Sequence, residues 1–522
     1  MRALSLILIL IAGSLSAQPV IQSVSPSSAN PGTKDLVITF SLPERTPPTP
    51  PARVQPISVT IGSITAKSIA HTSLGTVTAT FDIPEDAAEG TQKVVITFPT
   101  RRGEVEFRNS SLFSIGEPSR RVFTNGPPAE GINLVSTLNS KETHLIDNDH
   151  NILKTWTSEH IPRNSAYLLE DGSLMRPVYT ASPVFYGGGA GGRMEQHDWE
   201  GNLIWSFDYD TADYRQHHDI EVLPNGNILL IAWQMKTREE AIAAGRDPDL
   251  LKDDALWPDS IIEVTPTRPE GGTIVWEWHV WDHLIQDFDA SKANYGNVAD
   301  HPEKIDLNYT RSGPDAGIAD WNHINSVDYN AELDQILLSV LTFNEIWIID
   351  HSTTTAEAAG PAGDLLYRWG NPAAYKSGNM ADQKLFIQHD AQWINEGLPG
   401  EDNILIFNNG EGRPDGDYSS VEEIIPPLAP DGSYTLGLPP APVWSYTNSD
   451  KKKFFAPHIS GAQRLPNGNT LICEGTKRYV FEVTPDGKLV WEYDGLDQIF
   501  RFERYPPNYP GLQSINSAQS SH

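Results

Sequence analysis

Two segments of this sequence are near copies of each other, and the repeat they belong to decides what the chain can fold into. Leu223-Pro224-Asn225-Gly226-Asn227-Ile228-Leu229 and Leu465-Pro466-Asn467-Gly468-Asn469-Thr470-Leu471 both read as strand, turn and strand, with Asn-Gly at the tip. Each is followed by an apolar strand, a Gly-containing turn and two aromatics spaced by two. Ile262-Glu263-Val264 leads through Gly272 to Trp276 and Trp278, and Phe481-Glu482-Val483 through Asp486-Gly487 to Trp491 and Tyr493. The pair recurs as Trp205/Phe207, Tyr367/Trp369 and Trp444/Tyr446, with Lys154/Trp156 as a weaker first copy. Positions two apart share one face of a strand, so each pair can wedge between neighbouring sheets. Six copies, each long enough for a four-stranded sheet, predict an all-β, six-bladed β-propeller over residues 119–508. The copies average roughly 60 residues, more than the ~40–50 of compact propeller repeats. The excess lies in insertions at 234–258, 284–318, 352–363 and 410–440, and loops so placed commonly shape a binding face.

The flanking segments read differently. Arg2, the apolar run Leu4 to Ala12 and the small residues up to Ala17 read as a secretory signal over residues 1–17, cleaved after Ala17. Residues 18–118 carry short alternating strands, such as Leu36 to Phe40, Val77 to Phe81 and Val94 to Phe98, around a proline-rich stretch. That spacing predicts a small β-sandwich in front of the propeller, and Ser23-Val24-Ser25-Pro26 with Pro31-Gly32 resembles immunoglobulin-like domains of the IPT/TIG kind. Residues 509–522 are expected to form a disordered tail. The single cysteine, Cys473, has no intrachain partner. No apolar stretch beyond the signal is long enough to span a bilayer, so the expected location is the periplasm or the cell exterior. A net charge of −30 disfavours nucleic acid as a partner. An anionic substrate would need a local concentration of cations or oriented donors. A homodimer is left open.

The repeat also selects side chains for the central channel, because each blade contributes its first strand there. Those strands begin at His218-Asp219-Ile220, His323-Ile324-Asn325, His389-Asp390-Ala391-Gln392 and, in the last copy, His458-Ile459-Ser460. Three blades offer a histidine at one equivalent position. In the fourth, Ser460 takes that position and His458 lies two residues earlier on the same face. Imidazole serves as nucleophile, general acid or base, hydrogen-bond donor or metal ligand. A lone strand-start histidine more often caps a sheet, but three in repeat register beside Asn325 and Gln392 favour function, on the logic of polar groups converging in a pocket. By alternation, His217 points away from His218. His150, His160, His197, His279, His283 and His301 fall in turns or insertions and are assigned no role.

Over most of 130–500 the sequence resembles the bacterial aryl-sulfate sulfotransferases, the arylsulfotransferase family of secreted propellers. The resemblance rests on His217-His218-Asp219 with Leu-Pro-Asn-Gly-Asn, Trp321-Asn322-His323-Ile324-Asn325-Ser326, Gln388-His389-Asp390-Ala391-Gln392, Tyr367-Arg368-Trp369-Gly370-Asn371-Pro372 and Phe407-Asn408-Asn409-Gly410. It implies transfer of a sulfuryl group from a phenolic sulfate donor to a phenol acceptor, with neither nucleotide donor nor other cofactor, and with no metal. By the same resemblance His389 matches the transiently sulfated nucleophile, and His218 and His323 match its acid/base and sulfuryl-stabilising partners. Asn325 belongs to the same motif. Gln392, His458 and Ser460 are added as substrate-binding candidates from the repeat register. One position departs from the family pattern. Where an arginine is usual after the His-x-Asn-Ser motif, this chain reads Ser339-Val340-Leu341, and Arg368, Arg413, Arg464 and Lys477 are the candidates to replace it. Leu341 keeps two other readings open: a propeller that binds a metal or an anion without turnover, and a structural or adhesive surface protein.

Overall fold

The computed structural model describes residues 21–515 apart from 22, 26–27, 43–53, 74, 88–89, 101–102, 116–124, 312, 314–315 and 495–496. The expected signal at 1–17 lies outside them. The chain divides into two units, residues 1–122 and 123–522, a boundary a few residues beyond the one read from the sequence.

In the first unit, alternation of apolar and polar residues gives strands with one buried face, such as Leu36–Ser41 and Thr76–Phe81. A four-stranded and a five-stranded sheet share one core that includes Phe40, Val77, Phe81, Ile61, Ile96 and Phe107.

In the second unit the described residues form six four-stranded antiparallel sheets, together with two short two-stranded ribbons in the insertions. The sheets are joined through one strand each, numbered here in chain order: β1 (Tyr167–Leu168), β2 (Tyr214–Val222), β3 (Ile324–Asn330), β4 (His389–Trp393), β5 (Gly461–Arg464) and β6 (Glu503–Tyr505). Tyr167 hydroxyl donates to Asp219 (2.7 Å), and Asp219 accepts from Val327 N–H (3.3 Å). Asp328 accepts from Trp393 N–H (2.6 Å), Asp390 from Ala462 N–H (2.9 Å) and Gln463 from Arg504 N–H (2.8 Å). Leu168 N–H then donates to the Tyr505 hydroxyl (3.0 Å), which closes the ring. All but the first of these bonds satisfy a backbone donor that no ladder could reach, so polar side chains hold the β-propeller together at its axis.

Apolar wedges hold the rim. The aromatic pairs all fall on the outermost strand of their sheets, from Ile152–Thr157 to Leu489–Tyr493. One indole from each sheet donates to the next sheet round: Trp156 to Asp198, Trp205 to Gly271, Trp276 to Thr353, Trp369 to Pro439, Trp444 to Pro485 and Trp491 to Asn148. A buried indole needs such a partner, so the spacing that exposes the repeat also links the sheets.

Two findings concern the residues after 500, the second a correction. β6 pairs with Ile132–Ser136, so the first sheet is completed by a strand from the far terminus. The tail expected from residue 509 is structured as far as 515: Pro510–Leu512 is a turn of 3-10 helix, and Leu512 and Ile515 pack with Trp156, Leu168 and Leu174. Two apolar side chains in an otherwise polar stretch were enough to anchor it.

Candidate active site

The histidines do not sit on regular strand. His218 and His323 have φ of +52°, as does Asp390 next to His389, and Ile459 and Ser460 have φ of +50° and +87°. At each of these places the inner strand kinks in the left-handed region, and in β2 the register breaks between His217 and Ile220. A strained kink repeated round one ring points to function rather than folding convenience. It also overturns the alternation argument for His217. Instead of facing away, His217 turns its Nδ1 to within 2.7 Å of His218 Nδ1.

His389 is fully described by its hydrogen bonds. Asn409 donates its amide N–H groups to the carbonyls of Ala456 and Ile459, so its Oδ1 must be the atom that faces His389 Nδ1, at 2.8 Å. The Ile387 carbonyl lies 3.1 Å from the same nitrogen. Two acceptors fix the proton on Nδ1 and leave the Nε2 lone pair free of a proton. Burial, with only partial opposition from Asn409, lowers the His389 pKa to about 3, so the ring is neutral at neutral pH. The Ile459 N–H lies 3.2 Å from Nε2.

His323 has the opposite character. Its Nδ1 lies 2.6 Å from Asp320, whose other oxygen accepts from the Trp233 indole at 2.9 Å. Burial lowers its pKa, but the Asp320 charge and hydrogen bond outweigh this and raise it overall. The His218 and His323 rings meet edge to face at 4.5 Å between centroids. Burial and then the His323 charge push His218 well below the usual histidine range, so His218 is held neutral beside a neighbour whose charged form Asp320 favours. The Phe500 ring centroid lies 6.1 Å from that of His218 and 6.2 Å from that of His389, so one aromatic ring links these two histidines. Gly189 forms the wall behind His218 and accepts its backbone N–H at 2.8 Å.

The remaining candidates divide. Asn325 is fully buried and donates to the Gln388 carbonyl (2.8 Å), which places it behind His389 as a brace between β3 and β4. Ser460 is buried too, accepting from Gly475 N–H. His458 is exposed and close enough to His389 to disfavour charge there. Gln392 is not with the histidines. It is bound to Asp390 and the Ala462 carbonyl and lines a separate cavity of about 440 Å³. That cavity is built from the far ends of the inner strands, with Glu221, Asp328, Arg501 and Glu503 in its wall. Burial raises Asp328 to about 6 and Glu503 to about 8.

Leu341 opens a 3-10 turn after Gln335–Val340, with its N–H 3.3 Å from the His323 carbonyl, so no cation occupies that place. None of the four proposed replacements is free. Arg368 pairs with Glu345, Arg464 with Glu423, Lys477 with Glu474, and Arg413 stacks on Tyr418 and bonds Ser420. Of the histidines assigned no role, His160 and His197 share Glu195, His283 pairs with Asp364 and His301 with Glu303. Among the described residues, no group of three His, Cys, Asp or Glu side chains is placed to hold a metal ion. Among the described residues, no helix is long and apolar enough to cross a membrane.

Sequence reasoning missed His217, Asp259, Asp320 and Asn409. Asn409 was visible only as part of a motif string, and the two aspartates lie outside the inner-strand repeat.

Residues 131–427 match the arylsulfotransferase (ASST) family. No curated protein matches the chain. Similar solved structures include a protein of unknown function from Bacteroides caccae, 12% identical, covering 72% of this chain and 98% of that one at a TM-score of 0.40. The Cps50 (Swd1) β-propeller domain of Myceliophteria thermophila is 9% identical over 74% and 96% of the two chains, TM-score 0.37. Virginiamycin B lyase from Staphylococcus aureus is 11% identical over 75% and 88%, TM-score 0.34.

Proposed function

The chain belongs to the arylsulfotransferase family, and from that premise we propose that it moves a sulfuryl group from an aryl sulfate to a phenol in two steps through His389. The observation that carries this reading is the fixed tautomer of His389: a neutral ring with Nδ1–H held by Asn409 and an unprotonated Nε2 engaged only by the Ile459 N–H at 3.2 Å.

Sulfuryl transfer, like phosphoryl transfer, favours a loose in-line transition state with charge on the peripheral oxygens and the leaving group. In the first step Nε2 forms a bond to sulfur as the sulfur–phenolate bond breaks. The ring becomes cationic, and its Nδ1–H strengthens its bonds to Asn409 and Ile387. The Ile459 N–H, released from Nε2, turns to a sulfuryl oxygen. His323, made cationic by Asp320, supplies local positive charge within a strongly acidic protein. His218, neutral, gives a proton to the leaving phenolate and takes one from the acceptor phenol. The acceptor then attacks sulfur, and His389 leaves with its lone pair restored.

Leu341 favours a second reading, in which the site binds an arylsulfate anion without turning it over, because the family's usual cation is missing beside His323. One experiment separates the two. The protein is incubated with 4-nitrophenyl sulfate, and the peptide containing His389 is analysed by mass. Transfer predicts an acid-labile sulfuryl adduct on His389, absent from His389→Ala, with release of 4-nitrophenol. Binding without adduct or phenol overturns it.

A further inference from the structure

We propose that Asp259, His217 and His218 form a proton relay, in which the outer two residues set and reset the proton on His218. This rests on the transfer reading above, with His218 as acid and base.

His217 is completely buried and stacked on Trp233 at 4.0 Å between centroids. Its Nδ1 lies 2.7 Å from His218 Nδ1, so one of these nitrogens carries a proton and the other accepts it. Its Nε2 lies 3.3 Å from Asp259 Oδ1. Both of those atoms are buried and neither has a hydrogen-bond partner. Two orphaned polar atoms 3.3 Å apart cost more than a typical hydrogen bond returns, and a small turn that places a proton between them removes the cost. The other Asp259 oxygen is fixed by Ile324 N–H at 2.6 Å, so the carboxyl cannot turn away. Burial, and next the Asp320 charge, push Asp259 well above the usual carboxyl range. The charged groups facing the pair are Asp320, His323 and Arg215.

The chain then has two consistent arrangements. In the first, Asp259 is protonated toward His217 Nε2, His217 Nδ1–H donates to His218 Nδ1, and His218 carries Nε2–H toward the substrate. When the leaving phenolate takes that Nε2 proton, the His217 Nδ1 proton passes to His218 Nδ1 and the Asp259 proton to His217 Nε2. No imidazolate forms; the negative charge ends on Asp259, and a neutral phenol departs. His218 Nε2 now has a lone pair, the form needed to accept the incoming phenol's proton, and that transfer runs the relay back. His217 and Asp259 are positioning residues, acting only through His218.

The test compares phenyl sulfate with 4-nitrophenyl sulfate. 4-Nitrophenolate leaves without help, whereas phenolate needs a proton, and general acid catalysis is worth roughly 10²–10⁴-fold. Asp259→Asn keeps the shape, but its amide oxygen must accept from Ile324, so its NH₂ faces His217 and no proton can move. For Asp259→Asn and for His217→Gln, the loss of kcat/KM on phenyl sulfate should exceed that on 4-nitrophenyl sulfate by about tenfold or more. Equal losses on the two donors, as a merely structural defect would give, overturn the relay. A second measurement, ¹⁵N NMR of histidine in the intact wild-type chain, does not depend on turnover. It should show one proton shared by the Nδ1 atoms of His217 and His218, and a His218 tautomer that changes with pH in wild type but not in Asp259→Asn. Absence of the shared proton overturns the relay even in an active enzyme. Its presence in a chain that turns over neither donor supports the relay and locates the failure in the transfer reading.

Discussion

Gly189 shows how tightly the histidine ring is held. Its φ is +76°, and a Cβ built on it would stand 2.2 Å from the His218 ring. Gly189→Ala is therefore both strained and obstructed, and its expected outcome is displacement of His218, with at least a hundredfold loss of phenol release from phenyl sulfate. A steady-state assay, with circular dichroism to confirm the fold, checks this; wild-type rates would contradict it. Single residues were legible here where the repeat reported them. His218, His323 and His389 could be found because equivalent positions in different blades carry the same side chain. His217 was misread because alternation assumes a regular strand, and a left-handed residue at 218 breaks that assumption. Asp259 and Asp320 left no periodic trace. They act by burial and angle, which only the folded chain supplies.

Strands carry the next level. Four of the six inner strands were legible, as segments led by His218, His323, His389 and His458; β1, two residues long, and β6, three residues long and rich in charge, were not. Its Glu503 faces the acidic cavity, and burial raises its pKa to about 8. A carboxyl that is easier to keep neutral when folded contributes stability below its unfolded pKa of about 4.3, and that contribution is lost as pH rises through about 8. Removing the titration should flatten this part of the profile. Between pH 5 and pH 8, Glu503→Gln should lose less of its melting temperature than wild type. A parallel pair of melting curves against pH would contradict it. The insertions were legible as loops but not as structure: residues 234–258 contain a ribbon of Lys236–Thr237 with Ala255–Leu256 and a helix at Arg238–Ala243 capped by Thr237 and Glu240. Elements this short depend on packing rather than on sequence period.

At the scale of the molecule, the two units each have their own core. Units of this kind commonly fold alone. The chain of residues 123–522 should therefore melt within a few degrees of the propeller transition of the full chain, and release phenol from an aryl sulfate at a rate within about twofold. Calorimetry and the donor assay test both, and an unfolded 123–522 would contradict the division. The change from alternating short strands to the Leu-Pro-Asn-Gly repeat made this two-part organisation visible in the sequence. The closing of the ring was not visible, since it depends on pairing Ile132 with Tyr505 across most of the chain. That pairing has a temporal meaning. A chain emerging from the ribosome can lay down five complete sheets while the first still waits for its last strand. Until Glu503–Tyr505 arrives, the first sheet has an open edge, able to pair with a neighbouring chain, and Arg501 cannot reach Asp219 and Asp390 beneath the histidines. The closing strand is therefore a condition for the whole ring: a chain cut before Glu503 should lose phenol release from an aryl sulfate entirely, not in part.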